Sequence, residues 1–155
     1  HMVALNEKRI RWDKYYLKQL EIVKDKSKDN STKVGSIIVG AFDQVVSTGF
    51  NGFPHDVYDD INDYPHRYER PLKYNLTVHA ECNAICLAAR TGTPLNGSRI
   101  YCNLFPCTEC AKMIIQAGII EVITYKAPDL KEWNFDISKM MFEEAKIKVT
   151  EYEIE

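Results

Sequence analysis

The sequence predicts an α/β protein, a three-layer α/β/α sandwich with a central five-stranded mixed sheet. Two apolar, β-branched segments in the first third are joined by a short turn, which predicts an antiparallel hairpin. Strands alternate with helices in the second half, which implies crossover connections between parallel strands. Such connections place helices on both faces of a sheet, so we expect a mixed sheet between two helical layers.

The first elements are a helix and the hairpin. Apolar residues recur at helical spacing over residues 5–26, which predicts a long amphipathic helix that ends in the polar stretch 27–32. The hairpin strands are expected at 34–39 and 45–48, on either side of a turn at residues 42–44.

The rest of the chain alternates helices and strands after one long irregular segment. We expect helices at 77–91, 107–117 and 137–145, and strands at 99–104, 119–125 and 147–152. Gly92 and Gly118 follow two of these helices, where glycine is a common stop signal. Residues 51–75 lack a sustained period but are rich in Asp, Tyr, Pro and His, so we expect an ordered surface loop with a function.

Composition bounds the class of protein. At 155 residues, we expect a single domain over residues 1–155, with residues 1–2 interpreted as a cloning scar. A net charge of −2 disfavours a nucleic-acid partner, and no apolar run approaches the roughly 20 residues that span a membrane. Five cysteines without a secretion signal favour the cytoplasm, with thiols that are buried or bind metal.

Two short motifs, His-Ala-Glu at 79–81 and Pro-Cys-Thr-Glu-Cys at 106–110, carry the clearest chemistry. His79 begins one predicted helix, while Cys107 and Cys110 are neighbours on the first turn of another. This set of one nitrogen and two sulfur ligands suits zinc, and three protein ligands with an open fourth position are typical of catalytic zinc.

Glu81 is two residues from the proposed histidine ligand and is free to handle protons. Zinc lowers the pKa of a bound water to about 7, which prepares it to attack an electron-poor ring carbon that carries an amine. Glu81 can take the water's proton, protonate the ring nitrogen and help deliver a proton to the departing ammonia. The two motifs together match a described zinc-deaminase signature.

Other interpretations of these residues exist. The Cys107–Cys110 pair is also compatible with a redox pair, or with a structural zinc site completed by Cys82, Cys86 or Cys102. Those three cysteines otherwise fit small buried apolar residues. The loop histidines His55 and His66 are interpreted as polar surface residues, with a second metal site as the alternative.

Three longer segments carry a resemblance to a known family. They read GFNGFP at 49–54, VHAECNAI at 78–85, and LFPCTECAK at 104–112, the last followed by IIQAGI at 114–119. On these segments, and over about residues 34–122, the chain resembles deoxycytidylate (dCMP) deaminases of the zinc-dependent cytidine deaminase superfamily. The resemblance implies a cytidine deaminase-like fold and hydrolytic deamination of dCMP to dUMP in pyrimidine deoxynucleotide metabolism.

The resemblance also implies roles for individual residues. It makes His79, Cys107 and Cys110 the zinc ligands and Glu81 the proton shuttle. Five further residues are expected to contact substrate: Asn51 at the sugar, Lys33 and Ser31 at the phosphate, Tyr125 near the substrate, and Phe105 as a wall for the base. Asn51 and Tyr125 have ordinary alternatives, as a turn residue and as a strand-end tyrosine.

Family resemblance further implies a homo-oligomer, often a hexamer, that dCTP activates and dTTP inhibits. Relatives commonly read Asn-Gly-x-Pro-x-Gly, with arginine often before the last glycine, whereas this chain has His55 and Asp56 there. Since glycine is conformationally more permissive than aspartate, the loop geometry is expected to differ. The acid either repels a triphosphate effector or holds a Mg²⁺ ion that bridges to it.

The superfamily motifs do not select the substrate. The alternatives are deamination of dCTP, of deoxycytidine or of adenosine in tRNA, the last disfavoured by the lack of basic charge. A non-catalytic, zinc-stabilised binding module is a further alternative from a different class.

Overall fold

The computed structural model describes residues 9–154 and contains the expected five-stranded mixed sheet. The strands are β1 (Gly35–Val39), β2 (Val45–Phe50), β3 (Arg99–Cys102), β4 (Glu121–Tyr125) and β5 (Lys148–Tyr152), in the spatial order β2-β1-β3-β4-β5. β1 pairs antiparallel with both β2 and β3. β3, β4 and β5 are mutually parallel, as the alternation of helices and strands predicted.

Helices cover both faces of the sheet, which confirms the three-layer architecture. The α-helices are α1 (Trp12–Lys24), α2 (Leu72–Leu76), α3 (Ala80–Thr91), α4 (Thr108–Gln116) and α5 (Phe135–Glu144), with short 3₁₀ helices at Pro65–Tyr68 and Glu132–Asn134. Helix α1 covers one face, where Leu20 packs with Ile37 and Tyr101. Helices α3, α4 and α5 cover the other, where Ala84, Ile114 and Phe142 belong to a separate buried cluster. No helix within residues 9–154 is long and apolar enough to cross a membrane.

Two elements differ from the sequence prediction. The first helix begins at Trp12 instead of residue 5, because Arg11 has extended backbone angles; residues 5–8 lie outside the described part. The segment 51–75 contains the 3₁₀ helix and most of α2, which the pattern missed. Both of these helices are no longer than five residues, too short to show an apolar period.

A glycine sets the contact between α3 and β2. A Cβ atom at Gly49 would lie 2.5 Å from the backbone nitrogen of Ala84 and would also collide with the carbonyl oxygen of Ala80. Since His79 is the residue that precedes α3, this close approach fixes the position of the histidine relative to the sheet.

A buried ion pair joins α2 to the segment between α1 and β1. Lys73 is 5% exposed, and its Nζ donates to Asp29 Oδ1 at 2.9 Å and to Ser31 Oγ at 3.1 Å. Burial raises the pKa of Asp29, but hydrogen bonds from the backbone N–H groups of Thr32 and Ser31 and from Lys73 outweigh it. The pKa therefore lies below its ordinary value.

Replacing Lys73 by methionine is expected to destabilise the protein by about 3–5 kcal/mol, because the Asp29 carboxylate would stay buried without its cation. Urea unfolding measures the change, with Lys28→Met as control, since Lys28 makes an exposed pair with Asp59 in the same region. The difference in unfolding free energy between the wild type and Lys73→Met should be complete above the ordinary aspartate pKa of 3.8. It should shrink as the pH falls through the lowered pKa of Asp29. Equal effects of the two substitutions would contradict this role.

Candidate active site and metal centre

Two helix N-termini bring the predicted metal ligands together. His79 is the N-cap of α3 and Cys107 is the N-cap of α4, each with extended backbone angles and no capping hydrogen bond from its side chain. Cys110 lies on the first turn of α4 and is fully buried. The positive ends of both helix dipoles therefore meet at these three side chains, which favours thiolates there.

The geometry of the cluster fits a tetrahedral metal. The Nδ1 atom of His79 lies 3.4 Å from Cys107 Sγ and 3.4 Å from Cys110 Sγ, and all three ligand atoms lie within 4.8 Å of one another. Zinc with ordinary bond lengths places nitrogen and sulfur ligands about 3.6 Å apart. The donor set and spacing therefore suit zinc, and the exposed edge of His79 leaves one side open to solvent.

Hydrogen bonds within the cluster shift the pKa values of its three side chains in different directions. The pKa of Cys107 falls to about 4, chiefly because of its hydrogen bond with Cys110, with a further contribution from His79. The pKa of Cys110 is raised by its hydrogen bonds with Cys107 and Cys82. The hydrogen bond to Cys107 raises the pKa of His79 to about 9. The cluster thus pairs one thiolate with one imidazolium, and a metal cation can take the place of the acidic protons.

Glu81 lies directly beside the cluster without belonging to it. Its side chain is buried on the first turn of α3, and its Oε2 atom accepts a hydrogen bond from Cys110 Sγ at 3.4 Å. Burial raises the pKa of Glu81. A buried carboxyl with a raised pKa can both accept and return a proton near neutral pH.

The remaining cysteines do not complete a four-ligand site. Within residues 9–154, the only group of three or more potential ligands is His79, Cys107 and Cys110. Cys82 Sγ lies 4.0 Å from Cys110 Sγ but is not part of that group. Cys102 is buried as expected, whereas Cys86 is exposed and contradicts its interpretation as a buried apolar residue. The cluster is therefore the open, three-ligand kind that catalytic zinc uses.

The predicted sugar and phosphate contacts lie next to one another. Asn51 is buried, its Oδ1 accepts from the N–H of Val34 at 2.9 Å, and its Nδ2 donates to the carbonyl of Thr32 at 2.9 Å. Ser31 accepts from the buried lysine of α2, and the side chain of Lys33 is exposed. Asn51 thus holds the segment that carries both predicted phosphate contacts, and its sugar contact stays a prediction.

The two predicted aromatic contacts lie on opposite sides of the sheet. Phe105 is 4% exposed and packs against Phe135 and Phe142, in the cluster that also contacts Cys107. Tyr125 packs against the cluster under α1, on the face away from the metal ligands. Of these two residues, Phe105 lies on the metal-ligand side of the sheet and Tyr125 does not. The substrate roles of both residues stay predictions.

Asn103 is a site residue that sequence reasoning missed. Its Oδ1 accepts from the N–H of Gly35 at 2.7 Å, and its Nδ2 donates to the carbonyl of Lys33 at 3.3 Å. It follows β3 and precedes the cysteine motif, so it ties the predicted phosphate segment to the metal-ligand segment. A polar residue at the carboxyl end of a parallel strand was the available signal.

The long segment between β2 and α3, together with Lys26, Lys28 and Asp29, lines an open cavity of about 730 Å³. Asp56 lines it with a φ of 68°, a left-handed conformation that glycine adopts most easily and aspartate tolerates. The loop thus uses a glycine-like conformation at the position where the family resemblance implies glycine. His55 and Asp56 are both exposed, with His55 Nε2 3.7 Å from Asp56 Oδ1. His55 and His66 belong to no group of three potential metal ligands in the part of the chain described.

The fold and the site define a class of protein, the zinc-dependent nucleobase deaminases, in which a histidine, two cysteines and a glutamate form the catalytic centre. Residues 10–126 match the cytidine and deoxycytidylate deaminase zinc-binding region. The chain belongs to this family, which confirms the resemblance carried by its three sequence segments.

Individual relatives agree with this assignment. The chain is 40% identical over 144 residues to an uncharacterized deaminase in the luxG 3′ region of Aliivibrio fischeri, covering 90% of this chain and 92% of that protein. It is 40% identical over 116 residues to deoxycytidylate deaminase of Homo sapiens, covering 74% of this chain but only 64% of the human protein. The dCMP deaminase of cyanophage S-TIM5, solved with dCMP and dUMP, superposes with a TM-score of 0.72 at 25% identity, over 89% of this chain and 94% of that chain.

Proposed function

We propose that this protein hydrolyses dCMP to dUMP and ammonia, with zinc as its cofactor. The observation that carries the proposal is the cluster of His79, Cys107 and Cys110 with the buried Glu81 beside it. Membership in the deaminase family and similarity to deoxycytidylate deaminases support dCMP as the substrate.

The residues divide the chemistry between binding and proton transfer. His79, Cys107 and Cys110 would hold the zinc ion, which, when bound, lowers the pKa of a water molecule to about 7. Glu81 would accept one proton from the attacking water as its oxygen bonds to C4 of the cytosine ring, and would pass that proton to N3 of the ring. Glu81 then takes the remaining proton from the new C4 hydroxyl and passes it to the amine. The C4–N bond breaks, ammonia leaves, and the C4 oxygen becomes the carbonyl. The carbonyl oxygen of the product comes from water.

Regulation by nucleotides is a further part of the proposal. dCTP would activate and dTTP would inhibit, acting at the cavity between β2 and α3, which Lys26 and Lys28 line together with several carboxylates. Asp56 and Asp59 line it too, and Mg²⁺ on a triphosphate would offset their charge. A homo-oligomer, with a hexamer as the form that the family resemblance implies, is also part of the proposal. Five free cysteines support a place in the cytoplasm.

Turnover of a substrate panel tests the proposal. Purified zinc-loaded protein is incubated with dCMP, dCTP, CMP and deoxycytidine, each alone and with dCTP or dTTP as effector, while the loss of cytosine absorbance is followed. We expect the highest kcat/KM with dCMP. If activity is highest with dCTP or deoxycytidine, the substrate assignment is wrong but the deamination reaction stands. A zinc-loaded protein inert toward all of them would favour the binding-module alternative.

A further inference from the structure

Trp133 is an unusually exposed tryptophan in the connection between β4 and α5. Its ring is 58% exposed, although tryptophan is usually largely buried. Its backbone has a φ of 53°, and the next residue, Asn134, has a φ of 56°. Two consecutive non-glycine residues in the left-handed region cost free energy, and such strain concentrates at ligand-contacting positions. The strained segment thus carries an indole ring that is exposed to solvent.

Ring contacts link this tryptophan to both segments that precede the metal ligands in the sequence. Its ring meets Tyr74 edge to face, with centroids 6.1 Å apart, and Tyr74 lies on α2, five residues before His79. On the other side, Phe135 follows Trp133 by two residues and packs against Phe105 at 5.6 Å. Phe105 in turn precedes Cys107 by two residues. Together these two contacts connect the segment that leads to His79 with the segment that leads to Cys107.

A cation continues this row of aromatic rings. The Arg70 guanidinium lies 5.4 Å from the ring centroid of Tyr74, and its Nε donates to the Tyr74 hydroxyl at 2.7 Å. Arg70 is exposed and forms no salt bridge with any carboxylate of the described residues 9–154. Its remaining N–H groups can therefore pair with an anion, and arginine matches a phosphate through two parallel hydrogen bonds.

We propose that Trp133, Tyr74 and Arg70 form a substrate-binding rim, in which Trp133 stacks on the nucleotide and Arg70 pairs with its phosphate. The rim deepens the proposed function, since it names contacts for a nucleoside monophosphate at the same site. Flat heterocycles stack on exposed aromatic rings whatever their hydrogen-bonding pattern.

Steady-state kinetics separates the roles of these residues. Trp133→Ala is expected to raise KM for both dCMP and deoxycytidine by about fivefold or more. Arg70→Gln should raise KM for dCMP by about tenfold and leave deoxycytidine unchanged, because only the monophosphate offers a partner for arginine. Arg67→Gln is the matched control: Arg67 lies 4.7 Å from the ring of Tyr64 in the same segment and outside the rim. Unchanged KM values in both rim variants would overturn the proposal.

Fluorescence tests the rim in a variant that keeps all three rim residues, and it does not depend on turnover. The chain has two tryptophans, so Trp12→Phe leaves Trp133 as the only indole. In this variant dUMP and dCMP should cause saturable quenching, whereas Trp133→Phe, which retains Trp12 on α1, should show none. Quenching without turnover of dCMP would support the rim and reject the proposed reaction. Turnover without quenching would reject the rim and leave the reaction standing.

Discussion

Replacing Glu81 by glutamine is expected to reduce kcat by about 10³-fold or more while zinc content stays at one per chain. Glutamine keeps the size and the hydrogen-bonding ability of the side chain but cannot carry a proton between water, ring and leaving amine. Because Glu81 stands outside the group of metal ligands, its replacement should leave the metal in place. The rate of dCMP turnover and metal analysis by atomic absorption, performed on the same preparation, measure the two effects.

Glu109→Gln is the matched control for this experiment. Glu109 lies on the first turn of α4, as Glu81 lies on the first turn of α3, but its carboxylate is exposed and pairs with Lys112 at 2.7 Å. Its replacement should leave kcat within about twofold, as surface substitutions usually do. Retention of more than a tenth of wild-type activity by Glu81→Gln would show that another group carries the proton.

Replacing Cys107 by alanine is expected to abolish both high-affinity zinc binding and turnover. The variant keeps only two of the three ligand side chains, and Cys107 is the one whose pKa of about 4 makes it the readiest thiolate. Zinc that binds the folded protein a thousandfold more weakly contributes about 4 kcal/mol less stability. Addition of zinc to the chelator-stripped wild type should therefore raise its Tm by about 10 °C, and the same addition should leave the variant nearly unchanged.

Cys86→Ala separates ligand loss from cysteine loss. Cys86 is exposed on α3 and belongs to no metal-ligand group of the described chain. Its variant should bind zinc and show the full zinc-dependent rise in Tm. If Cys107→Ala behaves in the same way, the three-ligand assignment is wrong and Cys82, near Cys110, becomes the replacement candidate.

The sheet, its order of helices and the metal cluster could be predicted because each depends on local pattern. Alternation of strands and helices predicts parallel pairing, and His79 and Cys107 stand at helix starts that the pattern also shows. The described chain brings those residues together as expected. Short elements were not predictable in this way: α2 has five residues, and its buried Lys73 is stabilised by Asp29, 44 positions away.

Long-range side-chain contacts are also the reason that the substrate residues were harder to predict. Asn51 reads as a turn residue or a sugar contact, yet its amide bonds with Val34 and Thr32 on a distant segment. Tyr125 ends a strand as expected, but the face on which it lies depends on the register of the whole sheet. Trp133 gave no signal, because the pattern of its neighbours does not reveal a left-handed backbone.

The glycines of the segment 49–54, Gly49 and Gly52, differ in what surrounds them. At Gly49 a side chain would force apart α3 and β2, and with them the backbone that sets the place of His79. At Gly52, three residues later in the same motif, an added Cβ would meet nothing within 4 Å. Packing therefore excludes a side chain at Gly49, whereas it leaves room for one at Gly52. Of these two glycines in one motif, Gly49 is therefore required by the packing of α3 on β2, whereas the packing of the chain does not account for Gly52.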